Sequence, residues 1–487
     1  MKTLLTLLIG LLLGCAGTLL VSHYWGNSPT EYTPNLRSFT YDAARSLSLS
    51  SRNATLAAYP ELLPPLMEGF GGEFSRSIAQ NIFADTPEGV EDAINMSYVE
   101  RIDKRTWMLR MPLVNAILFE TSAGLVLVDT GTKAAGLALL DMIKDISNKP
   151  LHTIIYTHGH VDHAFGSHTL VKAYPKVQIV AQKNIVNRFE RYMETRGLLA
   201  RLMSQPAEQI PNSRQDFVWP TQTFDQQLSL TIGDEIFELH HYPAETDDQL
   251  FVWLPNRFVL ASADFYQGFL PNAGNGKRVQ RYVKEWADAL KAMAELKPKV
   301  LLPSHGTAIQ DTKQIQDKLL GLAAALTHIR NHVIEALNGG SRRDQAWQNI
   351  KLPAQLASRE DLRHQYVTAQ DIGKMVAKRY TGWWNDLPSG WRSAPLTEQA
   401  QDLMDLSSSA DEVLSKIDQL IDNQAYQRAA HLVDWYNLAY PADPRGWQQT
   451  IAVYRARLLS PTSPTQERLV YLDTISFALA QIATPSE

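Results

Sequence analysis

Cysteine is almost absent from these 487 residues: there is one, Cys15. A single thiol excludes an intramolecular disulfide and any cysteine-rich zinc module. A metal site in this chain would have to be built from His, Asp and Glu. A basic excess is also missing. The formal charge is −5, which argues against a nucleic-acid partner, since such proteins carry a positive surface. Only one long apolar run stands out. It extends from Thr3 to Val21, behind Lys2 and ahead of Tyr24 and Trp25. Its 19 residues approach the ~20 that a spanning helix needs, and the aromatics stand where an interfacial belt would. Residues 1–25 therefore read as a membrane anchor, a cleaved secretion signal, or a lipoprotein leader with Cys15 as the lipidated residue. Each places the body of the protein on the periplasmic or extracellular side.

Composition is otherwise that of a globular protein, with 45% hydrophobic and 20% charged residues, and the length suits more than one domain. Residues 26–95 are rich in Ser, Pro and Gly and read as an extension that packs on the next domain. From 96 to 311 branched apolar runs alternate with helical stretches. The runs at 113–120, 124–131, 151–158 and 177–182 have strand character, as do "LSLTIG", "EIFELHHY", "LFVWLP", "RFVLASAD" and "KVLLPSHG". Helical patterns fill 133–146 and 184–203. Strands that end in polar residues between helices imply an α/β layered fold with its chemistry at the strand ends. From 312 to 487 the pattern is all helical, with four segments between 411 and 483 broken near 423, 441 and 461. They resemble tetratricopeptide-like pairs, without a clean period.

The chemistry concentrates in "YTHGHVDHAFG", residues 156–166. His158 and His160 are two apart in an extended segment, so their imidazoles share a side. Asp162 and His163 come next, on the turn into a helix, and can reach a second ion. Zinc accepts such an imidazole and carboxylate set. Further ligands are available after later strands: Glu245 in "YPAETDD", Asp264 in "LASADF" and His305 in "LLPSHGTA".

The T-H-x-H-x-D-H motif and the order of these ligands resemble the metallo-β-lactamase superfamily over about 100–310. That resemblance implies an αββα sandwich holding two zinc ions. It assigns His158 and His160 to one ion and Asp162, His163 and His305 to the other, with Asp264 as the bridge, and it implies that Asp162, His163 and Asp264 take part in catalysis. Glu245 stands where most members have the histidine of a "PGHT" turn, which resembles the alkylsulfatase branch and would complete the first ion's set. The alternative is that Glu245 is a surface carboxylate and His240 or His241 supplies the ligand. Asp264 departs from the branch, which has Glu at that position.

Other stretches carry the same resemblance. "KNIVNRFERYMETRG" (183–197) is similar to the branch's helix rich in Asn, Arg and Tyr. In "LPNAGNGKRVQRYVKEW" (270–286), Lys277 stands where the branch has an anion-binding Arg, with Arg278 and Arg281 close by. Those three are the expected substrate-binding cations; the competing reading is a solvated loop. Trp383, Trp384 and Trp391 are expected to pack between helices or, less simply, to line a site for an alkyl chain. The helical tail, 312–487, is similar to the branch's dimerisation domain and implies a homodimer. The expectation is a dizinc hydrolase of sulfate esters, with alkyl sulfates foremost. The alternatives are a dizinc hydrolase of another ester, lactone or thioester, and a membrane-tethered scaffold whose hydrolase domain is inactive.

Overall fold

The computed structural model describes residues 49–68 and 76–483, so the N-terminal apolar run lies outside the described residues. Among the described residues twelve strands form two sheets. The first holds β1 (Tyr98–Arg101), β2 (Thr106–Arg110), β3 (Asn115–Glu120), β4 (Leu125–Val128), β5 (Leu151–Ile155), β6 (Gln178–Gln182) and β7 (Gln222–Phe224), side by side in that order. Its pairs are antiparallel up to β4 and parallel from β4 to β7. The second holds β8 (Gln227–Ile232), β9 (Glu235–His241), β10 (Leu250–Leu254), β11 (Val259–Ala263) and β12 (Val300–Pro303), in the order β12-β11-β10-β9-β8. Only β11 and β12 run parallel there.

The inner faces of the two sheets meet in one apolar layer. Met108, Ile117, Phe119, Val126, Val128 and Ile155 come from the first sheet, and Phe237, Leu239, Val252, Leu254 and Leu302 from the second. The rings of Phe119 and Phe237 meet edge to face at 5.7 Å, a geometry that adds attraction beyond buried area. β9 shows the cause in its sequence: every second residue of Glu235–His241 is buried, the period-two pattern of a strand with one face on a core. Helices cover both outer faces. Gly136–Ile146 and Ile185–Glu194 pack on the first sheet, and Val283–Glu295, Thr312–Asn338 and Ala369–Tyr380 on the second. This is the expected αββα sandwich followed by helices.

Three strands escape the sequence pattern. β1 is mostly exposed and β7 has three residues, so neither offers a periodic apolar signal. β2 is buried along its length, Arg110 included, and a fully buried run has no alternation to read. The four expected tail helices form at Ala410–Asp422, Tyr426–Ala439, Pro444–Leu459 and Thr465–Ala483.

The chain divides into two compact units. One spans 66–392 with 464–467. The other gathers the described residues up to Pro65 with 393–463 and 468 onward. The helices between 312 and 392 thus belong with the sandwich, although the sequence changes from strand to helix at 312. The physical reason lies on the outer face of the second sheet: Leu260 and Leu301 are buried against Leu319, Leu322, Leu326 and Ile372. The early segment divides too, with Leu49–Ala58 among the C-terminal helices and Pro87–Met96 beside the sandwich.

Candidate metal centre

β5 ends at Ile155, and Tyr156 anchors the loop beyond it by donating from its hydroxyl to Ser167 Oγ at 2.6 Å. His158 comes next, fully buried. Gly159 separates it from His160 and has no room for a side chain: a Cβ would lie 2.9 Å from Arg188 Cδ. The Gly159 N–H donates to Asp248 Oδ2 at 2.7 Å, which pins the middle of the His-Gly-His step. The short helix Val161–Ala164 then presents Asp162 and His163.

The other ligand candidates arrive from three turns. Asp264 comes after β11, directly behind Ala263, whose φ is +49°. His305 comes after β12 and donates from Nδ1 to the carbonyl of Leu113 at 2.5 Å; Leu113 itself has φ +77°. Left-handed backbone outside glycine is uncommon and clusters where function demands it. Glu245 lies between β9 and β10, 3% exposed. Its backbone N–H donates to Gln249 Oε1, and its Oε1 accepts from Asn272 Nδ2 at 2.6 Å.

All seven candidate ligands meet. His158, His163 and Asp264 can offer atoms within 4.8 Å of one another, as can Asp162, His163 and His305, and His160, Glu245 and Asp264. The second of these is the set expected for one ion. The other two divide the remaining donors, with His158 grouped beside His163 rather than with Glu245. Asp264 lies between them. Its Oδ1 is 3.5 Å from His163 Nε2 and 3.4 Å from His305 Nε2, while Oδ2 is 3.9 Å from His158 Nε2. A carboxylate whose two oxygens face different histidines is placed as a bridge would be. His240 and His241 stay out of the cluster: His240 stacks on Phe251, and His241 donates to the carbonyl of Gln249.

Hydrogen bonds fix which ring nitrogen three of the four histidines present. His163 Nδ1 donates to Asp129 Oδ2 at 2.8 Å. Asp129 also accepts from the Thr157 N–H and hydroxyl, both at 2.8 Å. That hydroxyl, its own proton engaged, accepts from His158 Nδ1 at 3.1 Å. His158, His163 and His305 therefore all turn Nε2 inward, and His160 turns Nδ1, which lies 2.7 Å from His158 Nε2. Such outer partners hold the tautomer and orientation that ligation requires. Asp129, φ +62°, is a residue behind the centre that sequence pattern did not single out. Its only signal was an aspartate directly after the buried run of β4.

A cation fits this set. His163 Nε2, Asp264 Oδ1 and Glu245 Oε2 are buried without a hydrogen-bond partner, a costly state for polar atoms unless something binds there. The charges agree. Burial opposes protonation of His163 and His305, but Asp264 and Asp162 outweigh it, raising His163 well above the imidazole range and His305 to about 9. His158 and His160 are held well down, by burial first, then by His163 and Arg188 respectively. Burial pushes Glu245 up to about 7 against the pull of Arg281. The carboxylates draw positive charge to the centre, as protons when nothing else supplies it. With only nitrogen and oxygen donors, zinc or a similar divalent ion suits the set.

The centre opens on a cavity of about 880 Å3 lined also by Arg188, Arg278, Tyr192 and Tyr366. Leu198, Leu199, Leu202 and Met203 add an apolar part to the lining. The three expected substrate cations have different situations. Arg281 is 1% exposed and its guanidinium is on Glu245, bonded to the carbonyl oxygen and 3.2 Å from Oε1. Lys277 and Arg278 both line the cavity. Trp384 is half-buried and does not line the cavity, and the other two tryptophans do neither thing expected of them. Trp383 and Trp391 are 72% and 66% exposed, in contact with each other at 5.3 Å, and they are not among the cavity-lining residues.

A two-sheet sandwich with this donor cluster at its strand ends defines a metallo-β-lactamase fold. Residues 110–305 match the metallo-β-lactamase superfamily and residues 342–475 the alkyl sulfatase dimerisation family. The chain thus carries a stretch that matches the one family followed by a stretch that matches the other. It is similar to a linear primary-alkylsulfatase of Pseudomonas sp., 28% identical over 324 residues, 61% of each protein. An (R)-specific secondary-alkylsulfatase of Pseudomonas sp. is 23% identical over 68% of this chain and 54% of its own length. An alkyl/aryl-sulfatase of Saccharomyces cerevisiae is 22% identical over 69% and 56%. The chain thus spans between about half and two thirds of these relatives. The solved structure of a stereoselective inverting sec-alkylsulfatase from Pseudomonas sp. superposes with a TM-score of 0.70 at 18% identity, covering 91% of this chain and 79% of that one; this likeness shows the fold.

Proposed function

We propose that this protein is a metal-dependent hydrolase of sulfate esters with an apolar alcohol portion, alkyl sulfates foremost. The observation that carries the reading is one cavity whose lining combines a donor cluster with buried unpartnered atoms, a cationic side chain, and several leucines. His160, Glu245 and Asp264 would hold one ion, with His158 adjoining, and Asp162, His163 and His305 the other, with Asp264 shared. Two zinc ions would act there as Lewis acids, making water acidic enough to attack at neutral pH and absorbing anionic charge.

The chain's own groups do the rest. Arg281 balances Glu245, so a carboxylate in a place where most relatives of the fold have a neutral histidine does not leave uncompensated charge. Arg278 stands within electrostatic reach of Tyr192, Tyr366 and Glu245 and receives the ester's sulfate oxygens; a guanidinium can grip them with two parallel bonds. Leu198, Leu199, Leu202 and Met203 take the alcohol's hydrocarbon, at roughly 0.8 kcal/mol for each buried methylene. The relatives named as alkylsulfatases support the sulfate ester. The match to an alkyl sulfatase dimerisation family supports a homodimer. The apolar run at the N-terminus supports attachment to a membrane, with the body in the periplasm or outside the cell; no helix of the described residues is long and apolar enough to cross one.

The test is a substrate panel of alkyl sulfates, aryl sulfates, lactones and thioesters on zinc-loaded protein. Alkyl sulfates should turn over fastest. Arg278→Ala should raise their KM about tenfold or more, a charge-assisted bond being worth about 1.5–3 kcal/mol, with metal content intact and a lactone little affected. Turnover of lactones or thioesters alone would move the assignment to the other ester class. Absence of metal after reconstitution would favour an inactive scaffold.

A further inference from the structure

Arg188, on the helix Ile185–Glu194, is a second cation of the cavity and has no part in the chemistry proposed above. It lines the cavity and is 6% exposed. Among the described residues its guanidinium makes no hydrogen bond, and Nε and Nη1 are buried without a partner. The nearest acid is Asp247, whose Oδ1 is 3.6 Å from Nη1 and is shared with Arg191 Nη2 at 3.8 Å. These are ion pairs without hydrogen bonds, and that Oδ1 is itself unpartnered.

The guanidinium is nevertheless firmly placed. Its Cδ packs where a Cβ on Gly159 would be, next to both histidines of the motif, and the adjacent residue, Phe189, stacks on Phe217 at 4.6 Å. Tyr192, one turn along the helix, feels the charges of Arg188 and Arg278 together. Around the centre, Arg281 is buried and bound to Glu245, Arg188 is buried, and Arg278 is half-buried. Arg188 and Arg278 are left with donors to spare. A buried guanidinium with unmade hydrogen bonds carries a desolvation cost that an arriving anion offsets.

We propose that Arg188 is a second anion-contacting residue of this site, bracketing with Arg278 the sulfate group of the ester and, after hydrolysis, inorganic sulfate. The proposal rests on the sulfate-ester reading and names how that site tells an anionic ester from a neutral one. A sulfate monoester has three non-bridging oxygens, enough for two guanidinium forks as well as the metal centre. Asp247 is then the counter-ion that Arg188 gives up in part when sulfate arrives.

The experiment titrates inorganic sulfate into the zinc-loaded full-length protein by calorimetry, beside steady-state kinetics on an alkyl sulfate and a lactone. R188Q should weaken sulfate binding and raise KM for the alkyl sulfate at least tenfold, leaving zinc content, kcat and lactone turnover within about twofold. R188K should recover part of the loss, since charge returns without the fork. D247N, which frees Arg188, should tighten sulfate binding. Unchanged sulfate binding in R188Q overturns the proposal. So does unchanged binding in D247N if R188Q loses its zinc or fails to fold, because Arg188 is then only a structural counter-charge. If R278Q weakens sulfate binding and R188Q does not, the sulfate-ester reading stands and this proposal falls. A wild-type protein that neither binds sulfate nor hydrolyses alkyl sulfates overturns the reading itself.

Discussion

At the residue scale the centre depends on atoms behind the ligands as much as on the ligands. Asp129 accepts from His163 Nδ1 and from the Thr157 N–H and hydroxyl, so one carboxylate orients His163 directly and His158 through a threonine. Asp129→Asn would keep the size, remove the charge and force one acceptor to become a donor. Zinc affinity should fall about 10- to 100-fold, the usual loss when an outer partner of a metal-binding histidine is changed, while the fold persists. A competition titration with a zinc chelator measures it; unchanged affinity would mean the aspartate serves the fold alone. Asp162→Ala or His160→Ala, which remove proposed ligands, should instead lower zinc content and turnover together. Retention of full zinc by both would sink the ligand assignment.

At the element scale the tail helices carry a titration of their own. Asp434, on Tyr426–Ala439, accepts from the Tyr454 hydroxyl at 2.7 and 2.8 Å, which joins that helix to Pro444–Leu459. Burial raises its carboxyl from 3.8 to about 6, with the Tyr454 bond opposing. A carboxyl with a higher value in the folded state than in the unfolded one favours folding while protonated. The penalty is absent below about 3.8, grows as pH rises, and is complete above about 6. Asp434→Asn should therefore stabilise the protein at pH 7 by about 1–2 kcal/mol and do little at pH 3.5. Denaturant unfolding at the two pH values reads the difference. An equal effect at both would show that the change acts through packing.

At the scale of the whole molecule, chain order and spatial order part company. The helix Leu49–Ala58 lies with Thr465–Ala483: Arg52 Nη2 is 2.5 Å from Asp473 Oδ1, and the Thr55 and Ser476 hydroxyls are 2.7 Å apart. Both contacts are largely buried, so the C-terminal unit includes a piece of chain more than 400 residues earlier in sequence. Arg52→Met, which removes this charge-assisted bond, should lower that unit's stability by about 1.5–3 kcal/mol, without altering zinc content. Limited proteolysis should then cut the tail first. The full-length soluble protein should also sediment as a dimer at micromolar concentration. A monomer there would count against the assembly proposed from the dimerisation match.

What the sequence determined by itself was whatever local pattern encodes. His158, His160, Asp162 and His163 lie within six residues at a strand end, and spacing alone put them together. Period-two burial in β9 and the breaks between the four tail helices were legible for the same reason. Glu245, Asp264 and His305 could be picked out as strand-end polar groups, and the resemblance ordered them. Tertiary structure alone decided what rests on long-range packing. It turned Arg281 onto Glu245, buried Arg188 beside the motif, and placed Asp129 behind His163. It left two tryptophans on the surface, folded the 312–392 helices onto the second sheet, and put Leu49–Ala58 beside the last helix. None of these has a periodicity to read. Each is settled by which buried charge finds a partner and which apolar face finds a cover, and those depend on residues far apart in the chain.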